Sequence, residues 1–135
     1  MPNWVVQGLI ATSPRPGFTP GSEHRVPQAT VDAWLGEALE FGISSVICLL
    51  AEDQLWLYKH ELPQGLLGRY EEAGLTVAHV PTPDQLTVPF TPEQYDYAWR
   101  EFQRLPKPVL VHCSAGYDRT GRIVRHILDQ LGEQG

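Results

Sequence analysis

Hydrophobic and polar positions along the chain follow two different spacings. Short apolar runs rich in β-branched residues predict strands that are covered on both faces. These runs are ISSVICLL (43–50), LTVAHV (75–80) and PVLVH (108–112), and Trp4 to Ala11 is predicted as a strand or hairpin. Between the runs, apolar residues recur every three or four positions, which predicts amphipathic helices. The helical segments are 31–41, 55–73 with a break near 63–65, 92–105 and 120–131.

Capping residues mark the ends of several predicted helices. Thr30 is predicted to cap the first helix, and Gly42 suits the left-handed conformation that ends it. Thr91 is followed by Pro92 and, three residues after the cap, by Gln94. This combination is typical of a capped helix start, because the two side chains satisfy free backbone N–H groups.

Alternating strands and helices predict an α/β fold with a central, mostly parallel sheet flanked by helices. Ligands of such folds bind beyond the carboxyl ends of the strands. The proline- and glycine-rich segment SPRPGFTPGSE (13–23) fits no regular element and is predicted to be a surface loop. The sequence has no internal repeat or linker, so residues 1–135 are predicted to form a single domain.

The charge balance excludes some classes of partner. A formal net charge of −6 argues against general binding to nucleic acid or membrane surfaces, because those partners select basic surfaces. No apolar run approaches the roughly 18 residues of a membrane-spanning helix, so the protein is expected to be cytoplasmic, without membrane insertion. Positive charge is nevertheless concentrated at Arg119, Arg122 and Arg125. An anionic ligand is therefore expected near these residues.

The cysteines and histidines show no metal-binding spacing. Cys48 and Cys113 lie far apart, without a CxxC pair or a Cys/His cluster, and the histidines are scattered. We therefore predict neither a disulfide framework nor a metal site, and we expect no cofactor.

The stretch VLVHCSAGYDRTGR (109–122) carries the chemistry that the sequence predicts. It reads as a strand, a turn containing Gly116 and the start of a helix. Backbone N–H groups of such a turn, together with the helix dipole, form a cradle for an anion. A thiolate is favoured at a helix amino terminus beside arginine, so Cys113 is predicted to be a nucleophile directed at bound phosphorus. Arg119 can offer its planar fork of donors to two phosphate oxygens.

Neighbouring residues are assigned supporting roles. The Thr120 hydroxyl can donate to the sulfur when it departs in a second step, and His112 can hydrogen-bond the loop backbone. Tyr117 either forms part of the pocket wall or points to solvent. The residues expected to line the substrate site are Ser114, Ala115, Gly116, Tyr117, Asp118 and Arg119.

HCSAGYDRTG (112–121) resembles the phosphate-binding loop of the cysteine-dependent protein tyrosine phosphatase superfamily, with its order of His, Cys, five residues, Arg and Ser or Thr. The chain is also similar to small dual-specificity phosphatases of the atypical and kinase-associated type, through 42–55 and 70–94. The resemblance implies their fold, with the loop between a strand and the final helix, and a two-step reaction through a cysteinyl-phosphate. The resembled enzymes usually continue through at least one more helix, so a shortened chain or a minimal fold is expected.

The reaction needs an acid from a separate loop, because a protonated leaving group departs more easily. Asp84, in VPTPDQLTVP after a predicted strand, is the candidate and lies where the resembled family carries its acid loop. The alternative is that Asp84 caps a turn. Asp118 is the rival acid, and its DRT context resembles myotubularin-like and some bacterial lipid-active phosphatases. Asp118 is otherwise expected to brace the loop through a salt bridge or to influence substrate choice.

Cys48 has two interpretations. It is most simply a core residue of the strand 43–50. The resemblance to kinase-associated enzymes suggests instead that Cys48 captures oxidised Cys113 as a reversible disulfide.

The expected function is therefore hydrolysis of phosphotyrosine, and also of phosphoserine and phosphothreonine, by a monomer acting on a phosphorylated protein or a small phosphomonoester. The short chain leaves little room for the phosphotyrosine-recognition loop of larger classical enzymes, which favours a shallow pocket. Two alternatives stay open: a phosphoinositide or other non-protein phosphatase, and a catalytically silent phosphate-binding module.

Overall fold

The computed structural model describes residues 2–21, 24–82, 89–116 and 118–134. The described elements alternate between strands and helices along most of the chain. In order, they are β1 (Asn3–Val6), β2 (Ile10–Ser13), α1 (Gln28–Glu40), β3 (Ser45–Cys48), α2 (Glu52–Lys59), α3 (Gly65–Glu72), β4 (Thr76–His79), α4 (Pro92–Arg104), β5 (Val109–His112) and α5 (Asp118–Gln134).

The strands form one mixed sheet in the order β1-β2-β5-β3-β4. Strands β2, β5, β3 and β4 are parallel, and β1 adds to the edge as the antiparallel arm of a hairpin with β2. The predicted α/β class with a mostly parallel sheet is thus confirmed. In register, His112 of β5 lies between Ser13 of β2 and Cys48 of β3, so three parallel strands end side by side.

Helices cover both faces of the sheet because successive strand side chains point to opposite sides. Ile47 of β3 packs in one hydrophobic cluster, whereas Val46 and Cys48 pack in the other. Helices α4 and α5 contribute to the first cluster through Ala98, Phe102, Ile123 and Ile127. Helices α1, α2 and α3 contribute to the second through Val31, Leu35, Tyr58, Leu66 and Tyr70.

Several predicted element ends are confirmed. The Thr91 hydroxyl accepts a hydrogen bond from the Gln94 backbone N–H at 3.2 Å, and the Gln94 side chain accepts one from Thr91 N–H at 2.7 Å. Gly42 follows α1 with a left-handed φ of 91°. The helical stretch 55–73 is indeed interrupted, because α2 ends at Lys59 and α3 begins at Gly65.

Two predicted helix starts are wrong. Helix α1 begins at Gln28 because Pro27, held in an extended conformation, is its N-cap and accepts the first helical N–H groups. Thr30 therefore lies inside the helix. Helix α5 begins at Asp118 rather than Thr120, and an acidic residue in the first turn interacts favourably with the helix dipole.

The parts of the chain that the structure describes contain no helix that is long and apolar enough to cross a membrane.

Candidate active site

The loop that follows β5 lies at the carboxyl ends of the parallel strands, where the sequence predicts a ligand. Cys113 and Ser114 are buried, and Ala115 and Gly116 are half-buried. Helix α5 begins immediately after the loop, at Asp118. The described backbone therefore brings Cys113 to a helix amino terminus, where positive potential and free N–H groups favour an anion.

Gly116 permits a close approach of this loop to the chain after β2. Its φ is +85°, and an added Cβ would lie 2.9 Å from the backbone oxygen of Ser13 and 2.9 Å from the nitrogen of Pro14. The Trp34 indole N–H donates to the Pro14 carbonyl at 3.0 Å, which holds that segment against α1. Only glycine fits without displacing backbone, so the turn has a steric requirement as well as a conformational one.

His112 is a positioning residue with an assignable proton. Its Nδ1 lies 3.0 Å from the Cys113 carbonyl oxygen and its Nε2 lies 2.9 Å from the Tyr70 hydroxyl oxygen. Burial lowers the pKa of His112 to about 4, so the ring is neutral near pH 7. A carbonyl can only accept, so Nδ1 carries the proton and donates to Cys113, while Tyr70 O–H donates to Nε2. The backbone at Cys113 is thereby fixed through a chain of two hydrogen bonds.

Arg119 lies in the first turn of α5, directly after the loop, and is 2% exposed. Its Nη1 donates to the Leu49 carbonyl at 3.2 Å, to Gln54 Oε1 at 3.1 Å and to the Thr82 carbonyl at 3.0 Å. These acceptors come from the end of β3, from α2 and from the segment after β4. The guanidinium is therefore oriented by three separate parts of the fold.

Thr120 is also buried. Its Oγ1 has no hydrogen-bond partner among the residues that the structure describes. A buried hydroxyl without a partner costs free energy.

The salt bridge predicted for Asp118 is present, but it lies within α5 rather than across the loop. Its Oδ2 lies 3.3 Å from Arg122 Nη2, one helical turn further along α5. The Arg122 guanidinium also lies over the Phe90 ring, at 5.6 Å from the centroid. The acidic side chain is thus paired with a base, although a further role in substrate choice stays a prediction.

An open cleft of about 450 Å³ lies beside the start of α5. Its lining residues are Tyr95, Asp118, Gly121, Arg122 and Arg125. Two arginines against one aspartate give the cleft a positive balance in a chain that is otherwise acidic.

Cys48 and Cys113 are both free and buried. Cys48 packs in the cluster on the α1–α3 face, whereas Cys113 packs in the cluster on the α4–α5 face. Burial raises the pKa of the Cys48 thiol to about 12, which keeps the thiol protonated and weakly nucleophilic. Cys48 therefore has the properties of a core residue, and its role as a redox partner of Cys113 stays a prediction.

Two predicted site residues, Asp84 and Tyr117, lie outside the described residues. The segment leading to Asp84 is described as far as Thr82, whose hydroxyl donates to the Leu49 carbonyl at 2.7 Å and whose own carbonyl accepts from Arg119. In the described ranges, no group of three or more His, Cys, Asp or Glu side chains could hold a metal ion.

Sequence reasoning missed Arg15. The proline-rich segment that contains it was predicted to be a surface loop, but Arg15 is 2% exposed. Arg15 Nε donates to Ser114 Oγ at 3.1 Å, and Arg15 N–H donates to the Ser114 carbonyl at 2.8 Å. Proline and glycine content indicates the absence of a helix or strand, and it gives no signal for burial of one arginine. The Gln54 contact with Arg119 was missed for a similar reason, because Gln54 looked like an ordinary helical polar residue.

Comparisons with known proteins agree with this geometry. The sequence model of the tyrosine phosphatase family matches residues 67–134, which include β5, the loop and α5. No curated protein sequence matches the chain.

Solved structures with a similar fold include a mutant form of Tk-PTP, which is 23% identical with a TM-score of 0.63 over 97% of this chain and 73% of that chain. A DUF442 protein from Shewanella putrefaciens CN-32 is 17% identical with a TM-score of 0.66 over 97% of this chain and 68% of that one. Kinase associated phosphatase, with its catalytic site cysteine replaced by serine, is 18% identical with a TM-score of 0.65 over 90% and 65%. These likenesses show that the chain shares the fold of the three structures.

Proposed function

Because the chain belongs to the tyrosine phosphatase family, we propose that it hydrolyses phosphomonoesters through a covalent intermediate on Cys113. The observation that carries this proposal is that Cys113 and Arg119 are both buried and stand at the two ends of one short loop, at the amino terminus of α5. A cysteine in that position has no structural need of an arginine six residues later. A site that transfers a phosphoryl group needs both a nucleophile and a positive group that stabilises the charge on the phosphoryl oxygens.

In the first step, the Cys113 thiolate attacks phosphorus and forms a P–S bond while the P–O bond to the leaving group breaks. Loop N–H groups and Arg119 stabilise the charge on the non-bridging oxygens. Asp84 donates a proton to the leaving oxygen, which departs as an alcohol or phenol. The contact between Arg119 and Thr82, two residues before Asp84, supports a common location for the arginine and the segment that carries the acid.

In the second step, water attacks phosphorus, the P–S bond breaks and inorganic phosphate forms. Asp84 accepts a proton from the attacking water. The Thr120 hydroxyl, which is buried without a partner in the described structure, donates to the departing thiolate. The resident charges of the loop and of Arg119 perform the stabilisation throughout.

We propose phosphotyrosine, phosphoserine and phosphothreonine in proteins as substrates, with residues 1–135 acting as one monomeric catalytic domain in the cytoplasm. Ser114, Ala115, Gly116 and the Arg119 fork would bind the phosphoryl oxygens, and Tyr117 would form part of the wall.

The test is phosphate release from matched phosphotyrosine, phosphothreonine and phosphoserine peptides, with Cys113→Ser as the blank. We expect release that disappears in the blank and falls about 100-fold in Arg119→Lys and in Asp84→Asn. We also expect the rate to peak at mildly acidic pH, since Cys113 must be ionised while Asp84 is protonated. A rate that still rises at pH 9, or release that persists in Cys113→Ser, would contradict the mechanism.

The cleft beside α5 favours a second candidate, a non-protein phosphomonoester that carries a further anionic group, such as a phosphoinositide. Arg125 is exposed and lines this cleft with Arg122. On this candidate, Arg125→Gln lowers turnover of phosphoinositides and spares phosphotyrosine peptides. The matched control is Arg100→Gln, an exposed arginine on α4 that lies over Tyr97. Equal effects of the two substitutions would exclude the candidate, and no release from any substrate would favour a silent phosphate-binding module.

A further inference from the structure

A second buried arginine touches the phosphate-binding loop from the side opposite α5. Arg15 donates through Nε to Ser114 Oγ at 3.1 Å and through Nη1 to the Tyr58 hydroxyl at 3.1 Å. Its backbone N–H binds the Ser114 carbonyl at 2.8 Å. Ser114 directly follows Cys113, so both the side chain and the backbone of the first loop residue are held by Arg15.

Among the described residues, the side chains that accept hydrogen bonds from the Arg15 guanidinium are those of Ser114 and Tyr58, neither of them acidic. In the described part of the chain, no carboxylate forms an ion pair with its guanidinium. Its phenolic partner is neutral, because burial raises the pKa of Tyr58 to about 12. His112 is neutral as well, mainly through burial and with smaller contributions from the positive charges of Arg119 and Arg15. The loop is thus flanked by two buried guanidinium groups, Arg15 and Arg119.

Such an arrangement is costly for folding alone. A buried charge without an opposite partner carries a large desolvation penalty, and an apolar residue of similar size would fill the same space at lower cost. The hydrogen bonds to Ser114 and Tyr58 lower the penalty, and no described carboxylate offsets the charge. A dianion bound in the loop would compensate it.

We propose that Arg15 is a positioning residue of the phosphate-binding loop, which orients Ser114 and adds a second buried positive charge that attracts the bound oxyanion. This inference rests on the proposed function of the loop. It gives Arg15 a different task from Arg119, since Arg15 acts through Ser114 and through its field. It also accounts for the close approach of the segment after β2 to the loop. Gly116 permits this approach, and the hydrogen bonds of Arg15 hold it.

The test measures the dissociation constant of tungstate, a phosphate-like oxyanion, by calorimetry on the full chain. Arg15→Met removes the charge and keeps the length of the side chain, and we expect it to weaken tungstate binding by about tenfold or more. Arg15→Lys keeps the charge but loses the planar Nε donor, so we expect an intermediate affinity.

Arg69→Met is the matched control. Arg69 is also partly buried, lies on the α1–α3 side of the sheet and pairs with Asp32 at 3.0 Å. The Arg69→Met substitution also removes one positive charge, but it does so away from the loop. The affinity for tungstate should therefore stay within about twofold of that of the unmodified protein. A purely structural role for Arg15 would lower thermal stability in Met and Lys variants while leaving the tungstate affinity of the folded fraction unchanged. That result would overturn the proposal.

The inference and the proposed function fail separately. Turnover of phosphopeptides with tungstate affinity unaffected by Arg15→Met would leave the function standing and reject the role of Arg15. Weakened tungstate binding without turnover of any phosphomonoester would support Arg15 and reject catalysis. An unmodified protein that binds no tungstate would overturn both. If neither Arg15 variant folds, Tyr58→Phe decides, because it removes the other side-chain partner of Arg15 and leaves the loop residues unchanged: weaker tungstate binding supports the proposal, and unchanged binding rejects it.

Discussion

Acidification should destabilise this protein through one identified histidine. His112 titrates near 6.5 when exposed, but burial lowers its pKa to about 4 in the folded chain. Between these two values the unfolded chain binds a proton at this position and the folded chain does not. Because the unfolded state then holds more protons, the free energy of unfolding falls as pH falls. At about 1.4 kcal/mol for each pH unit, the neutral His112 contributes roughly 3 kcal/mol to the free energy of unfolding. This contribution is fully present above pH 6.5 and is lost by pH 4.

Urea denaturation at half-unit intervals from pH 4 to pH 7.5 measures this loss. His112→Asn is the reference, since asparagine keeps a donor and an acceptor but does not titrate. Subtracting the two stability curves removes the contributions of carboxylates that both proteins share. The difference should shrink by roughly 3 kcal/mol from pH 7 to pH 4, with an unchanged urea m-value as the sign that both unfold alike.

Parallel stability curves would refute this reasoning. If His112→Asn does not fold, the ring can be followed directly by nitrogen-detected NMR of the unmodified protein. A neutral ring with its proton on Nδ1 throughout pH 5 to 7 is expected from the contacts with Cys113 and Tyr70. A ring that becomes charged near the ordinary pKa of histidine, or that carries its proton on Nε2, would contradict the assigned hydrogen bonds.

Three further substitutions test separate contacts. Gly116→Ala places a Cβ 2.9 Å from the backbone of Ser13 at a left-handed φ, so we expect a loss of about 1–3 kcal/mol and weaker tungstate binding by calorimetry; unaltered binding would show that the close approach is dispensable. Thr91→Ala removes the cap of α4 and should lower the free energy of unfolding by about 1 kcal/mol in urea, with Thr91→Ser restoring it. Tyr70→Phe leaves His112 Nε2 without its donor and should cost about 1–3 kcal/mol by the same assay, whereas a neutral effect would mean that another group supplies the hydrogen bond.

The loop and the parallel sheet could be predicted from the sequence because the signals for both are local. Cys113, Gly116 and Arg119 stand within seven consecutive residues, and the strand and helix on either side follow from hydrophobic spacing alone. The Thr91 cap is equally local and was predicted with its partner Gln94. One local pattern failed because a backbone feature displaced a side-chain cap, as Pro27 does at the start of α1.

The residues that support the loop could not be found in this way. Arg15 meets Ser114 across 99 positions of sequence, and Gln54 meets Arg119 across 65. Nothing in a proline-rich segment or in an amphipathic helix identifies which polar residue will be buried against a distant loop. These contacts depend on the strand order, which places the end of β2 and the end of β3 on either side of β5. A single sequence predicts the parallel sheet but not that order.

The neutrality of His112 also limits what can govern the pH dependence of the site. A histidine next to a nucleophilic cysteine is commonly expected to titrate in the working range, but here burial keeps His112 uncharged down to about pH 4. The positive potential near the loop then comes from Arg15, Arg119 and the amino terminus of α5 rather than from His112. His112 therefore adds no change of charge beside Cys113 across that range. Any change in turnover near pH 6 reports the substrate, the nucleophile or the acid, and a His112→Asn variant should keep the shape of the pH profile even where it lowers the rate.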